Sequence, residues 1–125
     1  MPASVDYSLA KQAVLRAFRA GYLSRADVCD AHQDLLRAAN YCGERTAEPC
    51  PVCSRELRLV AYAFSDDLKR DNGRVWPRDD IAGLRLYRDA RLYTVEVCIE
   101  CSWNHLRSQI ALGREDERPG RRASP

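Results

Sequence analysis

Two short runs carry residues that can do chemistry together, Cys50-Pro51-Val52-Cys53 and Cys98-Ile99-Glu100-Cys101. Each is a C-x-x-C pair, and 44 residues separate them. Within a pair, one tight turn can present both sulfurs to a single ion, and two such turns complete the four-sulfur tetrahedron that zinc prefers. The pairs therefore predict one structural zinc ion held by Cys50, Cys53, Cys98 and Cys101. A closed four-cysteine site keeps no position for water or substrate, so it stabilises a fold and does not catalyse. The four thiolates would leave a net negative charge around the ion, which Arg55, Arg58 and Arg107 are near enough in sequence to offset.

Other chemistry competes for the same residues. Cys98 follows a predicted strand and precedes a predicted helix, the local setting of a thioredoxin-like thiol oxidoreductase. No βαβ pattern precedes it, and that reading leaves the first pair unexplained. His105, four residues after Cys101, could replace a cysteine, but four cysteines already complete the set. Trp103 reads as a lid or core residue, or as an aromatic platform for a base or partner. Cys29 and Cys42 lie outside the pairs and read as small buried apolar residues. The chain has no P-loop, no G-x-G-x-x-G and no G-x-S-x-G.

The elements that must position the cysteines can be predicted in outline. Asp6 is a candidate cap for a first helix with Tyr7, Val14, Leu15, Phe18 and Tyr22 on one stripe, stopped at Gly21. Ser24 to Asp27 matches a capping box, and Asp30 to Gln33 a second one opening a third helix that ends at Gly43. Residues 1–43 thus form a helical unit with a helix-turn-helix layout. On its third helix, 31–41, the residues Gln33, Arg37 and Asn40 share a face and are of types that read base edges, although Asp34 would repel phosphate. Residues 44–49 read as a polar link, 57–64 as a strand covered on both faces, and 78–90 as an inserted helix weakened by Gly83. Residues 91–97 alternate as a strand, with Tyr93, Val95 and Val97 on one face and Thr94 and Glu96 on the other. Antiparallel pairing of the two strands brings both cysteine pairs to one end of a sheet. A C-terminal helix carrying Trp103, Leu106 and Ile110 is expected to end at Gly113, followed by a disordered tail over 114–125. The fold class is α+β: a three-helix unit at 1–43, then a zinc ribbon with an inserted helix at 44–113.

Composition narrows the role. Twenty basic residues against 18 acidic ones leave a net charge of +2, with no global attraction to nucleic acid or membrane. Of the basic residues only Lys11 and Lys69 are lysine. No apolar run reaches the roughly 18 residues of a membrane span. Met1 to Tyr7 lacks the basic and apolar regions of a signal peptide, so a cytoplasmic location is expected, where thiols stay reduced and cysteines favour metal.

With these motifs placed, the chain resembles DUF5318, a family of small actinobacterial proteins. The likeness rests on Asp27-Val28-Cys29-Asp30-Ala31, Leu35-Leu36-Arg37-Ala38-Ala39, Cys50-Pro51-Val52-Cys53, Val95-Glu96-Val97-Cys98, and Cys101-Ser102-Trp103-Asn104-His105-Leu106. It implies an actinobacterial cytosolic protein and supplies no function. The first pair also resembles the C-P-x-C knuckle of transcription-type zinc ribbons, departing at Ser54, where those often carry glycine.

The leading expectation is a non-enzymatic zinc adaptor for a large transcription or other nucleic-acid machine. RNA polymerase or the ribosome comes first, with no membrane and no small-molecule substrate, and with Trp103, His105 and Arg107 as contact candidates beside Gln33, Arg37 and Asn40. Direct DNA binding through the third helix and thiol oxidoreductase activity are the alternatives.

Overall fold

A computed structural model describes residues 3–112. The tail at 114–125, and Gly113 before it, lie outside the described residues. The elements run β1 (Ala3–Asp6), α1 (Ser8–Arg19), α2 (Arg25–Val28), α3 (Gln33–Cys42), β2 (Glu44–Pro49), β3 (Glu56–Phe64), β4 (Arg74–Val75), α4 (Ile81–Leu84), β5 (Arg91–Val97) and β6 (Asn104–Ala111). The chain is thus a mixture of helices and antiparallel sheet. The strands lie in the order β1-β6-β5-β3-β2, with β4 paired to β3.

Two compact units divide these residues. The first comprises Asp6–Val60 and Thr94–Ser108. Its core joins Leu15, Val28, Leu57 and Trp103 to the sulfurs of Cys50 and Cys98. α1 starts one step later than a cap at Asp6 predicts: Asp6 Oδ1 accepts from the Ser8 N–H at 2.7 Å, and Tyr7 is the flanking residue. Gly21 (φ 88°) ends the helical turn, and Tyr22 beyond it is 84% exposed, so it leaves the predicted apolar stripe. The box at Ser24 forms in both directions, Ser24 N–H to Asp27 at 2.8 Å and Asp27 N–H to Ser24 Oγ at 3.0 Å. The second predicted box does not form. His32 caps α3, its Nδ1 accepting from the Asp34 N–H at 3.0 Å. α3 ends at Gly43, whose backbone turns extended and where any Cβ would run into the Ala39 carbonyl.

The polar link at 44–49 is in fact β2, antiparallel to β3 with Glu44 opposite Leu59, Arg45 opposite Arg58 and Pro49 opposite Glu56. It is polar because it is an edge strand, with most of its side chains in solvent. The central run Leu59-Val60-Ala61 of β3 is buried throughout, as its two apolar faces predict.

The second unit comprises Ala61–Tyr93 with the flanking ends of the described chain. Ala61, Ala63, Leu68, Leu84, Ala90, Leu92 and Leu112 form its core. The predicted helix at 78–90 shrinks to one turn, α4. Asp80 is the reason at its start, since its Oδ1 accepts from the Gly83 N–H at 3.2 Å and delays the helix. Leu84 reaches the core from the end of α4 and Tyr87 from the turns that follow, and Asp89 takes a left-handed φ of 53° that no helix continues through.

The predicted C-terminal helix is a strand. Trp103, Leu106 and Ile110 keep helical spacing, but residues 104–111 form β6 beside β5. The reason is non-local: without β6, the side of β5 away from β3 would present unpaired backbone groups. The turn at Cys98–Ser102 folds the chain straight back onto that edge.

Candidate metal centre

Both C-x-x-C pairs fold into the same knuckle. In the first, Ser54 N–H donates to the Cys50 carbonyl at 2.9 Å, and Cys50 N–H donates to the Arg55 carbonyl. In the second, Ser102 N–H donates to the Cys98 carbonyl at 2.9 Å, and Cys98 N–H donates to the Trp103 carbonyl at 2.9 Å. The turn needs a left-handed residue just after each pair. Ser54 (φ 69°) and Ser102 (φ 74°) supply it, so the departure from glycine at Ser54 does not prevent the turn.

The likeness extends to the sulfurs. Cys50 Sγ accepts from the N–H groups of Cys53 and Val52, and Cys98 Sγ from those of Cys101 and Glu100. The Arg55 N–H faces Cys53, and the Trp103 N–H faces Cys101. Each of these bonds favours the thiolate over the thiol. The first cysteine of each pair is buried and the second is half-buried.

The four sulfurs lie within 4.8 Å of one another. Cys50 and Cys101 are 3.6 Å apart, and Cys53 and Cys98 3.4 Å. A tetrahedral ion with metal–sulfur distances of about 2.3 Å needs sulfurs about 3.8 Å apart. The two closest pairs lie within a few tenths of an ångström of that edge, and the four cysteines could bind a metal. The 3.4 Å contact also sets the start of β3 beside the end of β5, as antiparallel pairing predicts.

The electrostatics favour a cation. Burial pushes the Cys50 thiol up to about 11 and the Cys101 thiol up to about 12, and raises Cys98 as well. At Cys53 burial also raises, but the Arg55 N–H and the neighbouring thiols outweigh it and the thiol falls below its ordinary value. Four thiolates in this buried and half-buried setting therefore need a cation to exist together, while the N–H groups aimed at them are arranged for the charged form. The arginines expected to offset that charge are engaged elsewhere. Arg55 bridges to Glu100 across the two knuckles at 3.1 Å. Arg58 donates to the Ala39 carbonyl at 3.2 Å and reaches Glu56 at 3.3 Å, and Arg107 pairs with Glu48 at 2.7 Å.

The remaining site candidates separate. Trp103 is fully buried, so its ring is a core residue and not an exposed platform. Its Nε1 donates to Glu96 at 2.8 Å. His105 stacks on Trp103 with ring centres 6.0 Å apart, donates from Nδ1 to the Leu106 carbonyl at 2.8 Å, and stays outside the four-sulfur group. Gln33, Arg37 and Asn40 are exposed on α3, with Arg37 held by Asp34 at 3.0 Å. Cys42 is exposed, not buried.

Two features escaped the sequence reading. Cys29 is half-buried, and its Sγ lies 3.7 Å from Cys101 Sγ. Glu96 is 1% exposed and also accepts from Lys11 Nζ at 3.0 Å, so the polar face of β5 is its buried face. The shared pattern Cys-x-x-Cys-Ser was the legible signal for the two equivalent serines. No spacing rule points to Cys29 or to the Lys11–Glu96 pair.

A model of the family described as "Family of unknown function (DUF5318)" matches residues 2–124. The chain belongs to that family. Among its relatives are the uncharacterized proteins Rv0049 and MT0055 of Mycobacterium tuberculosis strains and Mb0050 of Mycobacterium bovis. Each is 34% identical over 111 residues, covering 87% of this chain and 81% of the relative. No solved structure matches the chain. Among the described residues, no helix of this DUF5318 member is long and apolar enough to cross a membrane.

Proposed function

We propose that the four cysteines hold one structural zinc ion in a ribbon-like frame, and that the protein is a non-enzymatic cytoplasmic adaptor on a large transcription or other nucleic-acid machine. RNA polymerase or the ribosome is the first candidate. The observation that carries this reading is the closed sulfur set, in which two matching knuckles aim their N–H groups at four sulfurs within 4.8 Å. Such a set supplies rigidity and leaves no position for substrate. The burial that raises Cys98 speaks against a thiol oxidoreductase, whose attacking cysteine must be exposed and acidic.

The adaptor part rests on what the helical segments present. Leu9 and Tyr22 are each 84% exposed and Tyr41 79%, and large apolar and aromatic side chains left in water suit contact with a protein. A net charge of +2 favours protein over nucleic acid as the direct partner. DNA reading by α3 gains nothing from Arg37, whose charge Asp34 already engages.

Two measurements test this. Metal analysis of protein purified under reducing, chelator-free conditions is expected to give one zinc per chain, and none would remove the metal reading. Affinity purification from the native host, with and without nuclease, is expected to recover a stoichiometric machine in both cases. A partner lost on nuclease treatment would shift the role to direct nucleic-acid binding, and protein recovered alone would refute a stable adaptor.

A further inference from the structure

A fifth sulfur lies against the four-sulfur group, touching it at Cys101. Cys29 follows α2, and its Sγ donates to Cys101 Sγ at 3.7 Å. That separation matches the 3.6 Å between Cys50 and Cys101, two sulfurs already assigned to one ion. It is also close to the edge of about 3.8 Å expected between two sulfurs on one tetrahedral ion. Cys29 packs in the same core as Cys50 and Cys98. Its position is fixed from both sides. The Ser24–Asp27 box and the Cys29 N–H to Arg25 carbonyl bond (2.8 Å) hold α2. The next residues are tied to the second knuckle, Ala31 N–H to the Ser102 carbonyl at 3.0 Å and Asn104 Nδ2 to Asp30 Oδ1 at 3.0 Å.

We propose that Cys29 is a standby ligand of the metal centre that exchanges with Cys101. The inference rests on the structural-zinc reading above. In the exchange, the Cys29 sulfur forms a bond to the ion as the Cys101 sulfur leaves it. The proton on the Cys29 thiol passes to the departing Cys101 thiolate along the S–H···S contact already present. Charge and proton count are unchanged, and no oxidant or reductant takes part. Cys101 is the partner because it is half-buried, whereas Cys50 and Cys98 are enclosed. The consequence is a site that keeps its metal when Cys101 is lost and that passes metal to a competitor faster than four fixed ligands would.

The test uses the full chain, zinc, and a chromophoric chelator as competitor. C29S is expected to keep one zinc per chain but to release it to the chelator several-fold more slowly than the unmutated protein. C101S is expected to retain one zinc within about 100-fold of the original affinity, and C29S/C101S to fall at least about tenfold further. Cadmium-113 NMR of C101S is expected to show coupling to the Cys29 β-protons. Equal release rates for C29S and the unmutated chain would overturn the proposal, as would equal affinities for C101S and C29S/C101S. Loss of zinc from C29S alone would also overturn it, since Cys29 would then be a primary ligand. If C101S fails to fold, the release rate of C29S decides. An unmutated chain without zinc would remove the earlier reading and this one with it, whereas zinc bound with no effect of Cys29 removes only this one.

Discussion

Replacing Glu96 with alanine should cost the protein about 3 kcal/mol of stability. The carboxylate is 1% exposed, and three groups converge on it. Trp103 Nε1 donates at 2.8 Å, Lys11 Nζ lies 2.9 Å away, and Arg107 Nη1 stands at 3.9 Å without a hydrogen-bond partner of its own. Removing one member of a buried ion pair typically costs about 3–5 kcal/mol. The lysine side chain is 22% exposed and can recover some hydration, which moves the ionic part toward or below that lower limit. The buried indole N–H cannot be rehydrated, and leaving it unpaired costs about 1–3 kcal/mol. The two terms overlap, so about 3 kcal/mol is the expected total, a large share of the 5–15 kcal/mol that holds a typical domain. Glu96→Gln keeps an oxygen for the indole but removes the charge facing Lys11, so its cost should be about half that of alanine. Urea unfolding of zinc-saturated protein, followed by circular dichroism, measures both. The Trp103 carbonyl also accepts from the Cys98 N–H, so the alanine variant should bind zinc more weakly as well. A loss below about 1 kcal/mol for alanine, or equal losses for alanine and glutamine, would refute the argument that this network is a charged, desolvated one.

Four further outcomes are expected. Cys50→Ser and Cys98→Ser should lose the metal, while Cys42→Ser, at an exposed position, should keep one zinc per chain by metal analysis. Metal binding should displace protons: Cys50 at about 11, Cys101 at about 12 and the raised Cys98 are all protonated at neutral pH. Protons therefore compete with metal, affinity falls as pH falls, and at least three displaced protons give a slope of at least about 10³ in affinity per pH unit, measured by chelator competition and proton release; a slope of one proton or fewer would contradict the burial argument. Ser54→Gly should be neutral or stabilising by up to about 1 kcal/mol in thermal unfolding, because glycine removes the left-handed penalty at φ 69° at some entropic cost. Metal removal should raise hydrogen exchange at Ala31, whose N–H bonds to Ser102 of the second knuckle, and unchanged protection there would show that the α2–α3 junction is held without the metal.

Much of the site was legible because its information is local. The two C-x-x-C pairs and the strands at 57–64 and 91–97 were read from spacing and from patterns of two or fewer residues, and the strands form within a residue of those bounds. What failed depended on distant partners. Leu106 and Ile110 lie on a helical stripe with Trp103, yet the free edge of β5 decides that they form β6. Alternation in β5 placed Thr94 and Glu96 on one face but could not show that this face is buried, since Glu96 is satisfied by Lys11, 85 residues away, and by Trp103. Cys29 meets Cys101 across 72 residues and has no motif of its own.

The two knuckles match in backbone but differ in surroundings, and the difference bears on function. Around the first, Arg55 is the linking charge, and it reaches out to Glu100 on the second. Around the second, Trp103 is buried, Asn104 holds Asp30, Ser102 holds Ala31, and Cys101 meets Cys29. The α2–α3 junction is therefore fastened to the second knuckle by three separate contacts, and α3 begins two residues past Ala31. Any ion that fixes Cys98 and Cys101 also fixes the start of α3, the helix that presents Tyr41 and Arg37 to solvent. A metal placed only to hold the sheet would need no such fastening. With the proposed zinc bound, these contacts would tie the start of α3 to the ion, and the exposed face of α3 is where a partner of the proposed adaptor is to be sought first.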